Sequence, residues 1–171
     1  MPSRHRTGIT LAELTDTLCL ECGLCCNGVL FADVRREGRD SSPLFKQHGA
    51  RVPQPCPAFN HADCKCALYA ERPKRCRQFE CKQLLVVRAG EKTPDAALKR
   101  IREARKAANE VEDLLTQLGF NDVKLPFSKR FQHCQHMAET GNLPSEHFEK
   151  LADLQLAVHR LNGLLARDFY A

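Results

Sequence analysis

No run of about 18 apolar residues occurs in the 171-residue sequence, which excludes an ordinary membrane-spanning helix. The opening segment MPSRHRTGIT is polar and lacks an apolar stretch of about 7–15 residues, so no secretory leader is expected. Glycine-rich phosphate loops, nucleophile elbows and paired catalytic carboxylates are all missing. Ordinary hydrolase and nucleoside-triphosphatase chemistry therefore has no basis here. No repeat of about 20–50 residues and no low-complexity tract is present, which sets aside solenoid and linker architectures. Surplus charge is also scarce away from one region. Residues 1–86 hold 13 Lys and Arg against 9 Asp and Glu, residues 87–118 hold 7 against 6, and residues 119–171 hold 6 against 6.

Cysteine is what the sequence has in excess. There are 10, of which nine lie between Cys19 and Cys81, and Cys134 stands alone beyond them. At 43% hydrophobic and 27% charged residues, the chain has the composition of a globular domain with a real core. It need not be a disulfide-held miniprotein. In a reducing compartment cysteine clusters favour metal over disulfides, and nine is an odd number for complete pairing. The expectation is a cytoplasmic metal-binding protein.

The positive charge fits that reading. A site of four thiolates around Zn²⁺, or around a [4Fe–4S]²⁺ cluster, carries a net charge of about −2 and gains from nearby cations and N–H donors. Arg72, Lys74, Arg75 and Arg77 flank Cys76 and can supply them.

The expected fold is mainly α. An irregular, metal-organised N-terminal half packs on a C-terminal bundle of about three helices. Residues 11–18 read as a helical turn leading into the first cysteines, within an N-terminal arm spanning 1–18. Residues 19–90 form the cysteine-cluster region and residues 91–171 the helical region, sharing one core. Val29–Val34 is β-capable, and Arg35–Ser42 reads as a polar loop. Pro53, Pro55 and Pro57 hold the chain extended around Cys56.

Helical signals are plain further on. Thr93 is the expected N-cap with Pro94 at N1, and Gly119 follows the last apolar position. Between them Leu98, Ile101, Ala104, Ala108, Val111, Leu115 and Leu118 make one stripe. A second helix is expected from Pro126 to Glu139. A third, from near Ser145, should turn Phe148, Leu151, Leu154, Val158, Leu161 and Leu165 inward.

The cysteines fall into three groups. The first is Cys19-x-x-Cys22-x-x-Cys25-Cys26, in which Gly23 permits a turn that aims two sulfurs at one centre. Three such positions in a row match the start of the bacterial C-x₂-C-x₂-C run. The side chains of neighbouring Cys25 and Cys26 diverge, so they suit two centres, or two irons, better than one tetrahedral ion. Cys56-Pro57 stands apart, and the third group is Cys64-x-Cys66, Cys76 and Cys81. All nine are candidate metal ligands, enough for two centres or one multinuclear centre. Zinc favours closed Cys₄ sites built from C-x₂₋₄-C pairs, so iron–sulfur is preferred and zinc is the alternative.

Taken together, CLECGLCC, PCPAF and CKCALYAERPKRCRQFEC resemble the CxxCxxCC (YkgJ-like) family of zinc- or iron-chelating cysteine-cluster proteins. The likeness runs over roughly residues 19–88 and extends to Tyr69, Arg72-Pro73 and Arg77. It implies ligand roles for the nine cysteines. A related cluster occurs in flagellin lysine N-methylases, where the resemblance implies [4Fe–4S]. No S-adenosylmethionine or flagellin-binding module is recognisable in residues 89–171.

Around the ligands, Arg72 and Arg77 are expected to brace the region through carbonyls or carboxylates, and Tyr69 and Phe79 to cover it. His61 is an auxiliary-ligand candidate but reads better as an exposed loop residue. His133-Cys134-x-His136 reads as an amphipathic helix with one buried thiol. Lys99, Arg100, Arg102, Arg105 and Lys106 form a basic stretch without interleaved aromatics, followed by Glu110, Glu112 and Asp113. A solvated face is expected there, rather than a nucleic-acid surface. The expected function is redox, accessory or maturation chemistry on a protein partner, without a membrane. The alternatives are a zinc interaction module and a nucleic-acid accessory.

Overall fold

The computed structural model describes residues 11–170, with side chains described from Asp16 onward. Residues 1–10 of the expected arm lie outside the described residues. The lead-in helix is longer than its apolar pattern suggests: α1 runs Leu11–Cys22 and takes in two of the cysteines. Three further helices follow the expected places. These are α5 (Pro94–Gln117), α6 (Phe127–Glu139) and α7 (Phe148–Asp168), the last preceded by a 3₁₀ turn at Ser145–His147. Between α1 and α5 stand three short helices, α2 (Pro43–His48), α3 (Lys74–Gln78) and α4 (Lys82–Arg88).

Helix α5 is the spine. Thr93 accepts the Ala96 N–H at 3.3 Å, a side-chain cap, with Pro94 in the first turn. Ala97, Ile101, Ala104, Ala108, Val111 and Leu115 are buried along one stripe. The small alanines let α7 and α1 approach closely, and both pack on α5, as does α4. Leu18, Leu24, Leu84 and Val87 from the cysteine-bearing half join Leu154, Leu161, Leu165 and Phe169 in the same buried cluster. Buried Arg130 clamps α6 to α5 by donating to the Phe120 carbonyl at 2.7 Å and to Glu112 at 2.6 Å.

A small second cluster lies under the cysteine region. Strands β1 (Asp33–Arg35) and β2 (Arg51–Pro53) pair antiparallel with Val34 opposite Val52. Helix α2 (Pro43–His48) adds Leu44 and Phe45 to those two valines. The expected strand from Val29 begins late, because Leu30 donates to the Leu24 carbonyl at 3.0 Å and closes a turn. Phe148, expected inward, is 51% exposed, because the 3₁₀ turn just before it sets the helix going with that residue outside the stripe. Ala157 takes a buried place instead.

Candidate metal centre

The first four cysteines are arranged by one helix end and one turn. Cys19 and Cys22 lie three residues apart on α1, on one face. Gly23 then adopts φ +65°, and its N–H returns to the Cys19 carbonyl at 3.2 Å. Cys26 and Asn27 both donate to the Gly23 carbonyl, at 2.9 and 3.0 Å, which closes a turn carrying Cys25 and Cys26. A Cβ at Gly23 would come within 2.9 Å of the Phe59 ring, so the position requires glycine for space as well as for torsion.

Long-range backbone bonds bring in the others. The Cys56 N–H donates to the Cys26 carbonyl at 2.7 Å, and Phe59 donates back to Cys56 at 2.9 Å. Phe59 opens β3 (Phe59–Asn60), which pairs with β4 (Lys65–Cys66) so that Phe59 faces Cys66. Cys64 sits in the connecting turn at φ +56°, a left-handed conformation unusual for a side-chain-bearing residue. Cys76 lies on α3, which is held by the Lys74 N–H on the Asp40 carboxylate at 2.5 Å and by Arg75 on Glu37 at 2.9 Å. Cys81 stands at the start of α4, where the N–H groups of Leu84 and Gln83 reach its sulfur.

All nine cysteines line one cavity of about 130 Å³. Leu24, Leu30, Phe31 and Phe79 supply apolar wall, and the Phe31 and Phe79 rings meet edge to face at 4.8 Å. Cys134 is fully buried elsewhere in the helical core. Cys19 and Cys76 are exposed as whole residues yet line the same cavity.

Burial raises the thiols of Cys19, Cys22, Cys25, Cys26, Cys56, Cys76 and Cys81, and neighbouring thiols add to the rise at all of these but Cys81. Burial, then the charge of Cys81, pushes Cys19 up to about 11. Burial pushes Cys22 up to about 12 against the Leu24 N–H, with Cys81 and Cys19 adding to the rise. Burial and then Cys22, Cys26, Cys81 and Cys19 raise Cys25 well above the usual thiol range. Cys26 is raised by burial and then by Cys56, Cys76, Cys66 and Cys22. Burial, then Cys56 and Cys66, takes Cys76 up to about 11. These thiols are neutral without a metal, and thiolates are the ligating form. Metal binding must therefore expel protons and replace mutual repulsion with a shared cation.

Two cations lie close enough to ease that charge. Arg72 lowers both Cys19 and Cys76. Its guanidinium donates to the Tyr69 carbonyl at 2.6 Å and stacks over the Tyr69 ring at 3.6 Å. Tyr69 in turn donates to Asp16 on α1. Arg105, read from sequence as part of a solvated basic face, donates to the Glu21 carbonyl at 2.8 Å and lowers Cys22. Nothing in local spacing signals that contact, which spans 84 positions. Arg77 is exposed and does not line the cavity, whereas Arg75 does. His61 is exposed with its ring against Phe59 at 4.9 Å, and His133 packs on Phe120 at 5.1 Å.

The donor set suits metal by its chemistry: soft thiols in number, apolar walls, cations and backbone N–H groups. Gln54, only 2% exposed, ends at the same wall with its Oε1 unpartnered among the described residues. Among the described residues, no three His, Cys, Asp or Glu groups stand at the spacing of a ready-made single-ion site.

A thiol-lined cavity on a helical base defines a cysteine-cluster, metal-binding class of protein. Residues 18–95 match the model of the CxxCxxCC family, described as a "putative zinc- or iron-chelating domain". Helices α6 and α7, with nearly all of α5, lie outside the match. Neither a curated protein nor a solved structure matches the chain.

Proposed function

We propose that the protein holds an iron–sulfur centre in this cavity and uses it in redox, accessory or maturation chemistry on a protein partner. The observation that carries the reading is the gathering of nine thiols into one apolar-walled cavity, five more than a single zinc Cys₄ site uses. An iron–sulfur centre would supply one-electron redox chemistry there. The cysteines bind, Arg72 and Arg105 offset thiolate charge, and Phe31, Phe79 and Tyr69 limit the access of water.

The partner is proposed to be a protein because the basic face of α5 is divided. Arg105 is engaged with α1 and Arg100 with Glu103 at 2.5 Å. The groove beside them mixes Arg102, Lys106 and Arg160 with Glu110, Asp113 and Asp153. A polyanion would meet both signs of charge.

Anaerobically purified protein is expected to be brown, with broad visible absorbance and stoichiometric iron and sulfide. Colourless, zinc-loaded protein overturns the iron–sulfur reading. It would favour the second one, a non-enzymatic zinc module, which is supported by the C-x₂-C pair Cys19 and Cys22 on α1.

A further inference from the structure

Resting on the metal-chelating reading, we infer that the cavity is two centres: Cys19, Cys22, Cys25 and Cys81 ligate one, and Cys26, Cys56, Cys66 and Cys76 ligate the other. Cys64 belongs to neither. The ligand class is a thiolate-bound cation, either a zinc ion or an iron–sulfur cluster in each half.

Backbone architecture carries the division. The first set hangs on two packed helices: α1 bears Cys19 and Cys22, and α4, which packs on α1, begins at Cys81. The second set hangs on the small lobe. Cys56 is bonded to the Cys26 carbonyl, and the β3–β4 hairpin brings Cys66 opposite Phe59. Cys76 rides on α3, which packs against β1 and is tied to Asp40. The boundary falls between Cys25 and Cys26, where consecutive side chains must point apart. One set therefore belongs to the helical base and the other to the lobe of α2, β1 and β2.

Electrostatic proximity follows the same line. Within the first set, Cys81 acts on Cys19, Cys22 and Cys25. Within the second, Cys56 and Cys66 act on both Cys26 and Cys76. Contact across the boundary is confined to Cys25 with Cys26 and Cys26 with Cys22, which are also neighbours along the chain. Arg72 acts on one member of each set, Cys19 and Cys76, and so stands at the junction. Cys64 lies in the β3–β4 turn rather than on the elements that carry either set. Its left-handed turn sets it against Gly23, with its Cβ 3.7 Å from where a Gly23 Cβ would stand.

The test uses the full-length protein as purified anaerobically. Metal and sulfide are counted by native mass spectrometry and chemical assay. Iodoacetamide labelling is then mapped by peptide mass while a chelator is added stepwise. Cys64 is expected to label before any chelator is added. The other eight should lose protection in two blocks, one holding Cys19, Cys22, Cys25 and Cys81 and the other holding the rest. Sulfide distinguishes clusters from zinc ions without affecting the partition. In parallel, Cys81→Ser and Cys76→Ser should each halve the metal content, while Cys64→Ser keeps all of it. Simultaneous loss of protection by all eight, or blocks of other membership, overturns the two-centre assignment and leaves metal chelation standing. Protein purified without metal and unable to take up zinc or iron overturns both.

Discussion

The Cys56 N–H donates to the Cys26 carbonyl across 2.7 Å, joining two cysteine motifs 30 positions apart by backbone alone. A backbone bond does not depend on which metal is present. It sets the distance between the first motif and the proline-rich segment before any thiol is deprotonated. Several consequences can be measured.

Gly23→Ala should destabilise the protein by about 1–2 kcal/mol, since alanine pays the left-handed strain that glycine avoids. The added methyl also meets Phe59 at 2.9 Å. Urea unfolding should show a lowered midpoint, and metal content should fall because Cys25 and Cys26 are re-aimed. An unchanged midpoint would mean that the turn is not as described.

Arg72→Ala should weaken metal retention by about 10-fold or more, the usual scale for partners of metal ligands. The guanidinium lowers Cys19 and Cys76 and is stacked on Tyr69. Arg72→Lys should recover part of the loss, because charge returns without the planar stack. Competition against a chromophoric chelator reads both.

Acidity should act in opposite directions on the metal-loaded and metal-free protein. Burial takes the Cys22 thiol from an ordinary 9.0 to about 12. Between those values the unfolded chain sheds this proton while the folded chain keeps it. Metal-free protein therefore loses stability as pH rises from 9.0 towards about 12, and the contribution is fully present below that window. Metal binding needs thiolates, so apparent affinity should rise steadily with pH and each binding event should release protons. Chelator competition at several pH values and thermal melts of metal-free protein give the two signs.

Phe169→Ala should cost about 3–5 kcal/mol, the range for emptying a large core site. Phe169 is fully buried, and its carbonyl accepts the Lys82 N–H at 3.1 Å beside Cys81. The Gln83 amide holds the neighbouring Asp168 carbonyl at 2.6 Å. Loss of this anchor should lower both the melting temperature and the protection of Cys81 against alkylation. Stability lost with Cys81 fully protected would show that the C-terminal end supports the core alone.

Helices α5 and α6 were legible because a 3.6-residue stripe, a threonine cap and a glycine stop are local signals. Phe148 fitted the stripe of α7 and is nevertheless exposed, since the 3₁₀ turn before it moves it off the buried face. Helix α2 escaped notice: its six residues PLFKQH offer too few turns for periodicity to register. Arg105 looked like one more surface cation because its acceptor, the Glu21 carbonyl, lies on another element.

By itself, the sequence determined the chemistry. Cysteine at C-x₂-C spacing, surplus positive charge beside it and apolar stripes beyond it are properties of neighbours along the chain. Adjacent Cys25 and Cys26 already required two directions. Only the tertiary structure brings distant cysteines into one cavity, because α4, which follows Cys81, packs on α1, and the Cys56 N–H donates to the Cys26 carbonyl. Those meetings depend on where distant segments close on one core, and spacing along the chain carries no record of that.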